Sequence, residues 1–157
     1  MKANNAGGFT LLELLVVLIV ISLLAGTVSL AMGPDPQREG RQQAAELGNQ
    51  LTALRQQAVL LDQQHAIALT QTRWCAMVLQ AGRWVPLQRP RQLPAGLAWQ
   101  LRIEGQAVAL PTDVPERPQL LALASDELTA FELSVQADQQ TYVVLRSDGV
   151  TDPEPGP

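Results

Sequence analysis

The sequence predicts an α+β protein in which a long N-terminal α-helix packs on an antiparallel β-sheet domain. Residues 9–32 form an almost uninterrupted apolar run, and residues 37–64 carry apolar side chains at steps of three and four. After His65 the apolar positions alternate with a period of two, which is typical of short strands. No helical pattern separates these strands, and this disfavours a parallel sheet.

The apolar run at residues 9–32 is long enough to cross a membrane. At about 1.5 Å per helical residue it extends roughly 36 Å, against a hydrocarbon core of about 30 Å. Glu13 is its only charged residue. Inserting a carboxylate at the centre of a membrane helix costs about 2.5–3.5 kcal/mol of free energy, and less near the helix end. We therefore expect Glu13 to have a functional role.

A short polar segment, residues 1–8 with the sequence MKANNAGG, precedes the run. In a secretory signal peptide the small residues of the cleavage site follow the apolar core. Here Ala6, Gly7 and Gly8 come before it. Cleavage after Gly8 would therefore leave the apolar helix on the mature chain, with a new amino group on Phe9.

This order, a basic leader ending in Gly8 and then Phe-Thr-Leu-Leu-Glu before the apolar run, resembles the class III leader of type IV pilins and type II secretion pseudopilins. The resemblance implies that a prepilin peptidase cuts between Gly8 and Phe9 and methylates the amine of Phe9. It also implies that Glu13 pairs with the N-terminal amine of a neighbouring subunit in a filament. The alternative is an ordinary single-span anchor that contains a glutamate.

Composition limits what the remaining chain of about 125 residues does. That length suits one soluble domain. The net charge is −4 and the only lysine is Lys2, so nucleic acid is not expected as a partner. Cys75 is the only cysteine, which excludes an intrachain disulfide and indicates a small buried strand residue. We expect no catalytic residues, no metal site and no cofactor.

The helix is predicted in two parts. Gly33-Pro34-Asp35-Pro36 is strongly helix-breaking, so residues 33–36 are either a kink that lets the anchor tilt or a simple loop between helices. Residues 33–64 form the amphipathic half, and His65 is expected to interact with its C-terminus or with solvent. The apolar stripe comprises Ala44, Leu47, Leu51, Leu54, Ala58 and Leu61.

Residues 65–150 are predicted to be a β-rich domain of six to eight short strands, with one face of the sheet covered by the amphipathic helix. A hairpin is expected around Ala81-Gly82, and the proline-rich residues 111–118 form the best loop candidate. Residues 151–157, TDPEPGP, are predicted to be a disordered tail. The predicted strands are residues 66–70, 74–79, 84–87, 97–103, 107–110, 119–124, 130–136 and 141–146.

Three later segments, GRWVPL at 82–87, LPAGL at 93–97 and the run at 118–133, resemble the H-type minor pseudopilins of type II secretion systems. The resemblance implies a non-catalytic subunit that links the tip and shaft of a periplasmic pseudopilus, anchored in the bacterial inner membrane by a single pass. Its implied partners are the major G-type and tip I-, J- and K-type pseudopilins and the exported protein. The sequence departs from the pattern at residues 33–36 and at Asp126, where a glycine is usual.

Three alternatives stay open at this point. A minor type IV pilin acting in pilus assembly or DNA uptake would use the basic cluster of Arg83, Arg89 and Arg91 beside Trp84. An anchored hydrolase would need Ser125, Asp126 and His65 as a triad, although no nucleophile-elbow pattern surrounds Ser125. The third alternative is a calcium site, and its candidate ligands are Asp148, Asp152 and Glu154.

Overall fold

The structure, a computed structural model, describes residues 11–31 and 35–156. The chain divides into two compact units between Asp35 and Pro36. The first contains helix α1 and the second contains helix α2 and all the strands described. The α+β class and the antiparallel pairing predicted from the sequence are both confirmed.

Helix α1 covers Leu11–Ala31 and lies within the predicted apolar run. The hydroxyl of Ser22 donates to the carbonyl of Leu18 at 2.7 Å, so this polar group is satisfied by its own helix. Among the helices described, none has both the length and the apolar character needed to span a membrane. Both ends of the predicted span, Phe9 and Met32, and the breaking residues Gly33 and Pro34 lie outside the described residues.

Helix α2 covers Pro36–Leu61 and buries the predicted stripe. Pro36 suits the first helical position, where its missing N–H costs nothing. Every stripe residue except Leu61 is fully buried. The helix ends where Asp62 adopts a left-handed backbone with φ of 50°, and the N–H of Gln63 then donates to Ala58 O at 3.1 Å.

Small residues bring α2 close to the strands. Gly40, Ala44 and Gly48 recur every four residues and are all buried, so they lie along one face of the helix. A Cβ atom added at Gly40 would lie 3.2 Å from Val135 Cγ1, and one at Gly48 would lie 3.4 Å from Leu145 Cδ1. The stripe predicted from the sequence included Ala44 but neither glycine, so it did not indicate this close approach.

Among the described residues, ten strands form two five-stranded sheets, so the expectation of six to eight strands in one sheet is wrong. In the first sheet the order is β3-β2-β1-β7, with β4 also beside β2. In the second the order is β10-β9-β8-β5-β6. The strands are β1 (His65–Leu69), β2 (Arg73–Gln80), β3 (Arg83–Pro86), β4 (Arg91–Gln92), β5 (Ala98–Ile103), β6 (Gln106–Val108), β7 (Leu120–Ala122), β8 (Phe131–Ala137), β9 (Gln140–Ser147) and β10 (Glu154–Gly156).

The predicted hairpin at Ala81-Gly82 is confirmed. Both residues have positive φ, 48° and 76°, as a two-residue hairpin turn requires. The turn joins β2 to β3, with Gln80 opposite Arg83.

The prediction of a disordered tail at 151–157 is wrong for Glu154–Gly156, which form β10 on the edge of β9. The prediction relied on the lack of apolar side chains in the tail. Strand pairing uses backbone groups and needs no such side chain, and Asp152 just before β10 also contacts Arg55 on α2 at 3.4 Å.

The core of the second unit lies where α2 meets both sheets. It includes Leu47, Leu51 and Leu54 from α2 together with side chains of β1, β2, β5, β7, β8 and β9. Cys75 is fully buried on β2, as predicted. His65 is not at the helix end or in solvent as expected. It begins β1, is 2% exposed, and its Nδ1 lies 3.2 Å from Gln63 O.

Candidate functional site

The first candidate site is the start of α1. Gly8 and Phe9, the predicted cleavage and methylation positions, lie outside the described residues. Glu13 lies in the first turn of α1 and is the one charged residue of that helix. The large apolar side chains between residues 11 and 21 are 44–87% exposed. A helix that is apolar all round is suited to an environment of lipid or of other helices.

A charged cluster on the second unit ties α2 to two loops. Nε and Nη2 of Arg55 donate to the two carboxylate oxygens of Asp126, at 2.7 and 3.0 Å. Nη1 of Arg55 donates to Asp152 at 3.4 Å. The bidentate hydrogen bond from Arg55 lowers the pKa of Asp126, and that bond raises the pKa of Arg55.

Asp126 occupies the turn position at which H-type pseudopilins usually have a glycine. Its backbone conformation explains why an aspartate is tolerated there. Its φ is 69°, in the left-handed region that Gly and Asp tolerate best. Ser125 and His65 do not join it in a triad. Ser125 Oγ donates to Glu127 at 3.0 Å, Asp126 is held by Arg55, and His65 is buried beside Gln63.

Two of the three candidate calcium ligands, Asp148 and Asp152, are engaged elsewhere. Oδ1 of Asp148 accepts from the N–H groups of Val150 and Thr151 and from the Thr151 hydroxyl, at 2.8–2.9 Å. These bonds, led by the Thr151 N–H, lower the pKa of Asp148 to about 2. Asp152 contacts Arg55. Residues 11–31 and 35–156 contain no group of three or more potential metal ligands.

The basic cluster expected around Trp84 is divided by the fold. Arg91 forms an ion pair with Glu46 of α2, and its guanidinium lies 5.5 Å from the ring centroid of Trp74, not of Trp84. Arg83 remains beside Trp84 on β3. Fewer positive charges therefore lie near Trp84 than the sequence predicted.

A cavity of about 680 Å³ opens beside β3 and the end of the 111–118 loop. The loop is held to the sheet because Arg73 donates to Thr112 O at 2.7 Å and to Asp113 at 3.3 Å. Val114 of the loop packs against the cluster of Ala68, Cys75 and Met77. The cavity lining includes Arg83, Trp84, Glu116, Arg117, Pro118 and Leu121.

Cys75 lies beneath this surface and is not exposed for reaction. Its Sγ donates to Gln88 O at 3.2 Å. Burial raises the pKa of the thiol, which disfavours the nucleophilic thiolate.

Comparison with known proteins decides the family. A model described as the prokaryotic N-terminal methylation motif matches residues 3–29. The type II secretion system protein H of Pseudomonas aeruginosa is 30% identical, and the match covers 95% of this chain and 94% of the relative. This chain belongs to the type II secretion system protein H family. The protein H of Escherichia coli K12 is 29% identical, with 83% and 80% of the two chains covered.

Solved structures agree with the fold of this H family member. The minor pseudopilin EpsH of Vibrio cholerae gives a TM-score of 0.66 at 21% identity, over 77% of this chain and 95% of that one. The solution structure of Escherichia coli GspH gives 0.63 at 23% identity, over 76% and 89%. The helix packed on antiparallel sheets is thus a fold found in these pseudopilins.

Sequence reasoning missed two features of this protein H relative. Arg55 and Asp126 are 71 positions apart, and nothing in the local pattern connects them. The cavity is lined jointly by the β2–β3 hairpin and residues 116–118, which are distant in the sequence. One sign of this cavity is present in the sequence. Arg83 and Trp84 lie at the predicted hairpin, and Arg117 lies in the predicted 111–118 loop.

Proposed function

We propose that this chain is a minor pseudopilin that works by assembly and not by catalysis, linking the tip and shaft of a type II secretion pseudopilus. The observation that carries the proposal is the apolar surface of α1, whose large side chains between residues 11 and 21 are 44–87% exposed. Such a surface needs partners from outside the domain. Membership of the protein H family, together with the fold shared with minor pseudopilins, supports other pseudopilins as the class of partner.

Processing of the leader is the first step of the proposed function. A prepilin peptidase cuts after Gly8 and methylates Phe9, as the match to the N-terminal methylation motif over residues 3–29 supports. The residues 9–32 then anchor the chain in the bacterial inner membrane by a single pass, with the second unit in the periplasm. The leader composition and the length of the apolar run support this arrangement.

Glu13 is proposed to direct assembly. The new ammonium on Phe9 of a neighbouring subunit pairs with the Glu13 carboxylate when helices of the filament core pack together. Within an apolar core a carboxylate without a partner takes up a proton or pays a large desolvation cost, and a paired ammonium offsets that cost. The pair therefore favours the register in which the two charges meet.

The three side chains of the alternative hydrolase triad do not hydrogen-bond to one another, and this supports an assembly role over hydrolysis. Ser125, Asp126 and His65 each have a different partner. The relatives are named as type II secretion proteins, and this favours secretion over the minor type IV pilin alternative. The exported protein is a further proposed partner of the filament.

The test replaces Glu13 by Val in the native host. Membrane insertion and removal of residues 1–8 should be retained, because the change raises apolarity. Incorporation into pseudopili should fall below about a tenth of the unmodified level, since a buried charge left without its partner costs about 3–5 kcal/mol. Incorporation is measured by crosslinking to the major pseudopilin, together with secretion of an exported enzyme.

Ser22→Val is the matched control in the same helix. It also replaces a polar side chain by an apolar one, but it removes only the bond to Leu18 O. This variant should assemble normally. Normal assembly of Glu13→Val as well would contradict the pairing role.

A further inference from the structure

The cavity between the β2–β3 hairpin and the 116–118 segment has the size of a binding site. Its volume of about 680 Å³ lies within the range of about 300–1,000 Å³ that is typical of ligand pockets. All of its lining residues belong to the second unit, and none belongs to α1. Its lining combines an aromatic ring, aliphatic side chains and three charges.

The two arginines of this cavity differ from several other arginines of the domain. Arg55, Arg73, Arg91 and Arg146 each bind a carboxylate of the domain. In the part of the chain that the structure describes, Arg83 and Arg117 have no such ion pair. With Glu116 they leave a local charge of +1 on a protein whose net charge is −4. An acidic group from another molecule is the complement of this surface.

The apolar part of the lining is also incompletely covered. Trp84 and Leu121 are both only half-buried. Aromatic and aliphatic side chains placed beside arginines are typical of the centres of protein interfaces.

We infer that this cavity receives a surface segment of an adjacent pseudopilin in which an acidic side chain stands next to apolar ones. The carboxylate lies between Arg83 and Arg117, and the apolar side chains pack on Trp84 and Leu121. The inference rests on the proposed function, because it takes its partner from the same filament. It adds a contact between folded domains to the proposed contact between α1 helices.

A protein segment fits the cavity better than a nucleic acid does. The local charge of +1 balances a single carboxylate but not the several phosphates of a bound strand, and the basic cluster is divided by the pairing of Arg91 with Glu46. The required chemistry is available on this fold. At the end of α2 this chain itself presents Leu60 at 81% and Leu61 at 60% exposure, followed by exposed Asp62. A subunit of the same fold can offer a corner of this kind.

The test measures binding of the full-length processed chain, in detergent, to each of the other pseudopilins of the host's secretion system in turn. The variant Arg83→Ala/Arg117→Ala should bind one of them about tenfold or more weakly than the unmodified chain. Arg38→Ala/Arg41→Ala, which changes the net charge equally at exposed positions of α2, is the control and should bind as the unmodified chain does. Thermal unfolding checks that both variants are folded.

A conservative pair, Arg83→Lys/Arg117→Lys, keeps both charges and should retain most of the binding. Equal affinity of the alanine variant and the unmodified chain for every pseudopilin overturns the inference but leaves the proposed function intact. Binding of an exported protein or of a single-stranded oligonucleotide that alone depends on Arg83 and Arg117 also overturns it. Failure of the unmodified chain to bind any pseudopilin overturns the inference and the proposed function together.

Discussion

The two helices of this chain differ in where their apolar side chains find partners. In α1 the large apolar side chains between residues 11 and 21 are at least 44% exposed. In α2 the leucines at 47, 51 and 54 are fully buried against the strands of the same unit. The apolar side chains of the first helix are therefore available to pack against other molecules. Those of the second helix stabilise the fold of this domain.

The difference also shows in how each helix uses polar residues. In α1, Glu13 is the single charge and Ser22 bonds to its own backbone. In α2, Arg55 and Glu46 reach out to Asp126 and Arg91 in other elements of the domain. Changes in the two helices should thus affect different measurements.

The same substitution in both helices gives the largest expected contrast. Leu51→Ala should lower the free energy of unfolding of the domain by about 2–5 kcal/mol, because it leaves a cavity in the core. Leu18 is 59% exposed, so Leu18→Ala should leave the unfolding of the domain unchanged and reduce incorporation into the filament. Denaturant unfolding followed by tryptophan fluorescence measures the first effect. A similar loss of domain stability in both variants would break the distinction between the helices.

A smaller effect is expected where α2 approaches the strands. Gly40→Leu should destabilise the domain by about 1–3 kcal/mol, because even a Cβ atom there would lie 3.2 Å from Val135 Cγ1. Ala45→Leu adds similar bulk on the exposed face of α2 and is the control, with little expected change. Thermal unfolding compares the two variants. Equal unfolding temperatures would show that the small-residue face does not need to be small.

The smallest effect concerns pH and lies outside both helices. The pKa of Asp148 is about 2 in the folded protein and near 3.8 ordinarily, so its stabilising bonds are present above about pH 4 and are lost as the pH falls towards 2. Asp148→Asn cannot titrate and should lose less stability than the unmodified protein over that range. Unfolding temperatures measured between pH 6 and pH 2 test this. Parallel profiles for the two proteins would contradict the role of Asp148.

The sequence predicted the features that depend on local pattern. The stripe from Ala44 to Ala58 fixed the helical face that is buried, and the Ala81-Gly82 turn fixed the register of β2 and β3. Each of these needs only a few neighbouring residues to specify it. The family resemblance likewise rested on short segments read directly from the chain, and the similarity to protein H of Pseudomonas aeruginosa confirms it.

Features that depend on distant pairing were missed or wrong. Strand β10 forms because its backbone meets an open edge of β9, which the composition of the tail could not indicate. The division into two sheets depends on β5 pairing with β8 and β6 instead of with the preceding strands β3 and β4. The burial of His65 and the bond between Arg55 and Asp126 also follow from tertiary packing.

The central claim is that cleavage gives a mature chain with its amine on Phe9 and that α1 then packs between subunits. Intact-mass analysis of the protein purified from its native host tests this most directly. The mass should correspond to a chain that begins at Phe9 and carries one added methyl group. A mass that includes residues 1–8 would contradict the claim.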